Sequence, residues 1–216
     1  TAEVAKGFAR RGPCRLFLLG RSMPCKEPLN KDVAKAMIKE KLQKLGKKQT
    51  PAMINASLNL LINSDEARQT IQSLKEMGAD VEFMNCNVSN PDEVKTAFND
   101  IATKTSHIDI VVHGAGTERS QLLKDKTMRD FNSVFSPKAS AALSIVDALD
   151  EETLFVSMGS IAGRLGNPGQ TDYSAANEAV AHLCKQRPAS LHVSWTAWDG
   201  PGMTSKPGMK ALLEKH

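Results

Sequence analysis

The run Ser160-Ile161-Ala162-Gly163 is followed by Gly169-Gln170-Thr171-Asp172-Tyr173-Ser174-Ala175-Ala176-Asn177, which places a hydroxyl, a phenol and an amide thirteen and then four residues apart. Ser160 ends an apolar strand that begins over residues 154–156, and Tyr173 opens the next helix, so the two side chains can meet at one point. Tyr173 and Asn177 stand at i and i+4 and share a helix face. A phenol aimed at a carbonyl oxygen, with a hydroxyl beside it, suits protonation of a ketone while hydride arrives from a cofactor. The plain alternative is a serine-bearing turn followed by an ordinary surface helix. The motifs around Tyr173, the chain's only tyrosine, weigh against it.

Those residues need a scaffold, and 216 residues suit one large α/β domain with a substantial core. Hydrophobic content of 41% and charged content of 24% are ordinary for a soluble globular protein. The net charge of +4 is modest, and much of the excess lies in the lysine-rich segment 31–48, where it solvates a helix face. Basic residues do not alternate with aromatics, which argues against a nucleic-acid partner. Cys14, Cys25, Cys86 and Cys184 are scattered, with no CxxC pair. That pattern predicts reduced thiols, no metal site, and a cytoplasmic setting. No apolar run approaches a membrane span, and the first residues lack a signal-peptide pattern.

Apolar spacing predicts a helix over 1–11 with Gly12 as its stop, then a strand over 15–19. Val33, Met37, Ile38, Leu42 and Leu45 repeat at helical spacing up to Gly46. Thr50-Pro51 reads as an N-cap followed by proline at the first helical position, and Ser64-Asp65-Glu66 as a further helix start. Strands follow over 81–84, 108–112, 154–156 and 191–195. Helices are expected to start at 89–93, to run over 127–149 with Pro137 as a kink or break, and to run over 172–184. Strands alternating with helices, apolar enough to be covered on both faces, predict a Rossmann-like doubly wound parallel sheet with helices on both faces. A helical insertion over about 24–66 follows the strand at 15–19.

With these motifs in order, the chain resembles the short-chain dehydrogenase/reductase superfamily. Within it, the chain is similar to the ketoreductase domains of polyketide synthases and, more closely, of polyunsaturated fatty acid synthases. The resemblance covers residues 1–216 and rests on Thr1-Ala2-Glu3-Val4-Ala5, Leu18-Leu19-Gly20-Arg21-Ser22, His113-Gly114-Ala115-Gly116, Asp125-Lys126-Thr127, Lys138, the two runs above, and Trp195-Thr196-Ala197-Trp198-Asp199-Gly200. It implies that Tyr173 donates the proton, that Ser160 hydrogen-bonds the substrate carbonyl, and that Lys138 favours the phenolate and binds the cofactor ribose. Most of the superfamily has a lysine four residues after the tyrosine. These ketoreductases exchange the lysine and asparagine positions, and Lys138 with Asn177 shows the exchanged form.

The resemblance also implies NADPH as cofactor. Arg21 and Ser22 would meet its 2′-phosphate, Asn87 and Val88 its adenine, and His113, Gly114, Ala115 and Gly116 would line it, with His113 structural rather than catalytic. The implied activity is reduction of a β-ketoacyl thioester, presented by an acyl carrier protein beside other synthase domains. A stand-alone reductase of a free carbonyl compound and a catalytically silent domain are the alternatives, and intact Lys138, Ser160, Tyr173 and Asn177 speak against silence.

Several positions depart from the resemblance. The family's first strand and its glycine-rich turn should precede Thr1 and are absent from this chain. That predicts a chain beginning inside a larger polypeptide, with a divided sheet, poor folding and weak NADPH binding by itself. Gly159-Ser160 stands for the usual Ser-Ser pair, and Thr196-Ala197 for Gly-Pro. Thr117-Glu118-Arg119-Ser120 and Leu165 lack the signatures of either stereochemical class, so product stereochemistry is left open. The glycine- and proline-rich segment 200–207 is the candidate lid.

Overall fold

A computed structural model describes residues 1–196; Trp198 and the candidate lid 200–207 lie outside them. The described strands are all parallel and fall into two sheets, β1–β2 and β3–β4–β5, so the expected division of the sheet is observed. The chain correspondingly separates into two compact units, one comprising residues 2–87 and the other Thr1 with the residues from 88 onward.

In the first unit, α1 (Ala2–Ala9) precedes β1 (Arg15–Gly20), which pairs with β2 (Asp80–Asn85) from Arg15↔Asp80 to Gly20↔Asn85. Ala5, Ala9, Leu74, Ala79 and Val81 form the core beneath this sheet. The excursion between the strands is α2 (Lys31–Lys44) and α3 (Pro51–Glu76). Ala34, Ile38, Leu42 and Leu58 give these helices a small core of their own, which is why the lysines of α2 can face water. Asn30 caps α2 by accepting the Asp32 and Val33 N–H groups, and Thr50 caps α3 by accepting that of Met53.

One expectation fails here. Ser64-Asp65-Glu66 starts no new helix, because α3 runs unbroken through it. The Asp65 carboxylate accepts from Arg68 Nε at 2.9 Å, Gln69 Nε2 at 2.7 Å and Leu29 N at 3.3 Å, so it does not compete for the helix backbone.

In the second unit, β4 (Leu154–Ser160) lies between β3 (Ile110–His113) and β5 (Ser190–Trp195). α4 (Pro91–Lys104) begins at the cap Asn90. The predicted helix over 127–149 is three pieces: α5 (Met128–Phe135), a π-helical turn (Ser136–Ser140) and α6 (Ala141–Val146). Pro137 has no N–H to donate, and the wider π turn absorbs that gap. α7 (Ala162–Leu165) and α8 (Thr171–Gln186) complete the unit, whose interior includes Phe155, Val94, Val134, Ala176 and Val180.

Candidate active site

The carboxyl ends of β3, β4 and β5 are the edge where a parallel sheet offers backbone and side chains to a ligand. Ser160 is the last residue of β4 and pairs in register with Trp195, whose carbonyl accepts the Ile161 N–H at 2.9 Å. The Ser160 Oγ accepts from Ala162 N at 3.2 Å, which fixes the hydroxyl at the turn into α7. Gly163 lets α7 approach α8 closely: a Cβ there would lie 3.0 Å from the Asn177 Cβ and 3.1 Å from the Glu178 N.

Tyr173 lies in the first turn of α8, and its ring is half-buried. Asn177, one turn on, is fully buried and donates from Nδ2 to the Tyr173 carbonyl at 2.8 Å. The i, i+4 relationship read from the sequence is thus a direct bond. The turn before α8 requires Gly169, whose φ is +78° and whose Cβ would sit 3.3 Å from the Gln121 N.

Lys138 comes from the π-helical turn and is 5% exposed. Its Nζ donates to the Met158 carbonyl at 2.7 Å, two residues before Ser160. Burial pulls its pKa down from 10.5 to about 8, so the ammonium persists at neutral pH. Gly116 gives this side chain passage, since a Cβ there would stand 3.0 Å from the Lys138 Cε.

His113 closes β3 with its ring 3% exposed and stacked on Phe155 at 6.2 Å. Its Nε2–H donates to the Lys138 carbonyl at 2.9 Å, which places the imidazole beneath the lysine as support. Desolvation, with the Lys138 charge adding to it, lowers its pKa to about 4 and keeps it neutral. The structure therefore brings His113, Gly116, Lys138 and Met158 together, and separately Gly163, Tyr173 and Asn177, within one unit.

The remaining candidates of that unit are Val88, half-buried just before α4, and Gly114 and Ala115 between His113 and Gly116. A Cβ on Gly114 would meet Thr1 Oγ1 at 2.1 Å. Arg21, Ser22 and Asn87 belong to the other unit. Arg21 is exposed and follows β1 directly; Asn87 follows β2, and Gly20 and Cys86 are bonded there through Cys86 N and Gly20 O at 3.1 Å. These residues share the carboxyl end of the β1–β2 sheet. A cavity of about 490 Å³ lined by Pro24, Arg68, Ile71, Gln72, Lys75 and Glu76 contains none of the candidate site residues.

Two features were not legible in the sequence: the Met158 carbonyl as the seat of Lys138, and an ion pair between Lys126 and Asp172. Both residues of that pair lie inside the motifs noted above, but only the fold shows that they meet.

Compared with known proteins, residues 1–200 match the KR domain family. The chain belongs to that family. It is a ketoreductase domain of the short-chain dehydrogenase/reductase superfamily, related to the ketoreductases of polyketide and fatty acid biosynthesis. It is similar to polyketide synthase PksN of Bacillus subtilis, with 29% identity over 164 residues, or 69% of this chain and 3% of that protein. A polyunsaturated fatty acid synthase polypeptide of a Thraustochytrium species is 26% identical over 177 residues, 79% of this chain and 6% of that protein. This ketoreductase chain thus spans well under a tenth of either relative's length. Among solved structures, the ketoreductase from the first module of phoslactomycin biosynthesis in a Streptomyces species matches 99% of this chain and 42% of its own, at 21% identity and a TM-score of 0.74. That likeness supports the Rossmann-like fold of the ketoreductase domain.

Proposed function

We propose that this ketoreductase domain reduces a β-ketoacyl thioester, delivered by an acyl carrier protein within a larger synthase, to the β-hydroxyacyl thioester with NADPH. The observation that carries the reading is the buried, still-charged Lys138, held on the Met158 carbonyl beside Ser160 in the unit whose α8 bears Tyr173 and Asn177. A structural role alone gives no reason to bury an ammonium at this edge.

The chain's residues fit a phosphorylated nicotinamide dinucleotide. In one unit Gly114, Ala115 and Gly116 offer small side chains at a strand's carboxyl end; in the other, taken by itself, the exposed Arg21 with Ser22 has the chemistry that suits a 2′-phosphate. Such a cofactor would supply the hydride. Tyr173 gives its phenolic proton to the substrate oxygen as the carbonyl becomes an alkoxide, and the Ser160 hydroxyl donates a hydrogen bond to the same oxygen. Lys138 has three N–H donors, of which Met158 takes one, leaving two for the phenolate and the cofactor ribose. Asn177 ties the Tyr173 backbone to its own turn.

No helix among the described residues is long and apolar enough to cross a membrane. The scattered cysteines, with no CxxC pair, are the ground for placing the reaction in the cytoplasm. NADPH oxidation measured with a carrier-bound β-ketoacyl thioester and with free carbonyl compounds tests the reading. Faster turnover of the carrier-bound substrate supports it. Preference for a free carbonyl would make the domain a stand-alone type of reductase, and a folded, NADPH-binding protein inert to all of them would favour a silent domain.

A further inference from the structure

Asp172 immediately precedes the proposed proton donor, and both of its carboxylate oxygens are committed. Oδ2 accepts from Lys126 Nζ at 2.6 Å, across 46 residues of sequence, and Oδ1 accepts from the Tyr173 N–H at 2.9 Å. The two charged side chains are 2% and 1% exposed. Lys126 is itself held between stiff neighbours. A 3-10 turn (Leu123–Asp125) precedes it, and Thr127, which caps α5 in a reciprocal capping box with Asp130, follows. Lys126 Nζ also reaches the Arg119 carbonyl at 3.4 Å.

The same two stretches of chain are joined at other points. Gln121 N donates to the Gly169 carbonyl at 2.9 Å, and Gln170 Nε2 donates to Glu118 Oε1 at 2.9 Å. An aspartate in the first turn of a helix needs no lysine to be favourable, because the helix dipole and the orphan N–H groups already suit it. Burial of the pair adds little stability over apolar residues of similar size. What a short, directional, two-point link does add is a fixed angle for the start of α8.

We infer that Lys126 and Asp172 are positioning residues: their buried ion pair sets the first turn of α8 and so aims the Tyr173 phenol. This rests on the reading of Tyr173 as proton donor. Neither residue touches the reacting atoms; both act through the Tyr173 backbone.

The test compares Lys126→Met, Asp172→Asn and the double variant in the intact protein. Each single variant leaves one buried charge unpaired and lowers both Tm and kcat. In the double variant Tm returns close to wild type, but kcat stays about tenfold to a hundredfold down, with KM for NADPH unchanged. Incorporated 3-fluorotyrosine supplies a readout independent of turnover, its Tyr173 fluorine signal identified by loss in Tyr173→Phe. One sharp line in the wild type should broaden or split in the double variant. Recovery of kcat together with Tm, or an unchanged sharp line, would overturn the positioning role. A wild type that turns over no substrate yet shows the broadening in the double variant would refute the reductase reading alone.

Discussion

Lys138 and His113 are linked through the lysine's own backbone: the His113 Nε2–H is bonded to the Lys138 carbonyl at 2.9 Å, while the Lys138 Nζ reaches forward to Met158 at 2.7 Å. A neutral imidazole thus anchors the base of the side chain whose ammonium serves the proposed chemistry. Both groups are buried, and burial is the largest cause of each pKa shift. The pair links stability, charge and activity in ways that can be separated.

Replacing Lys138 should separate activity from stability. Its folded pKa of about 8 lies below the 10.5 of the exposed group, so the unfolded chain holds the proton more tightly between those values. Charging the buried lysine therefore works against folding at neutral pH, and stability should rise as pH climbs from about 8 toward 10.5. Activity should move the other way, falling above about pH 8 as the ammonium is lost. Lys138→Met should lose at least about a hundredfold in kcat while its Tm at neutral pH equals or exceeds that of wild type. Thermal melts and NADPH oxidation across pH check both halves.

His113 predicts an acid limit to stability. Its pKa is lowered from 6.5 to about 4, so between those values the unfolded chain takes up a proton that the folded chain refuses. Stability from this group is complete above pH 6.5 and is lost as pH falls toward 4. Urea midpoints measured through that window should drop less steeply in His113→Gln than in wild type.

Gly159 and His192 form a size-matched pair. A Cβ on Gly159 would stand 2.3 Å from the His192 Cε1 and Nε2. Gly159→Ala should cost about 1–3 kcal/mol through overpacking. Gly159→Ala with His192→Ala should cost less than the sum of the two single changes, which a double-mutant cycle of unfolding free energies measures.

Local geometry around the candidate residues was legible in the sequence because it depends on short spacings. The four-residue spacing of Tyr173 and Asn177 predicted a shared helix face, and the amide found there is bonded to the Tyr173 carbonyl. Thr50 announced a helix start because its hydroxyl can accept the Met53 N–H, as it does at 3.3 Å. Pro137 announced a disturbance, though not that a π turn would carry Lys138. Contacts distant in sequence were illegible for a physical reason. The partner of Lys126 is chosen by how α8 packs, and the seat of Lys138 is a backbone carbonyl that any residue supplies. Ser64-Asp65-Glu66 misled because Asp65 resembles a cap, whereas its carboxylate is taken by side chains on its own helix.

Arg21 tests cofactor choice. If its exposed guanidinium meets a 2′-phosphate, Arg21→Ala should raise KM for NADPH by roughly tenfold, the scale of a charge-assisted hydrogen bond, and leave KM for NADH nearly unchanged. Equal effects on both cofactors would place Arg21 away from the phosphate.

The most direct measurement is NADPH oxidation by the intact protein with a β-ketoacyl thioester, compared with its Tyr173→Phe variant. Turnover is expected in the wild type, with loss of at least about a hundredfold in kcat in the variant and with NADPH binding and Tm preserved. A variant that turns over at the wild-type rate would contradict it, because the phenol would then not be the proton donor.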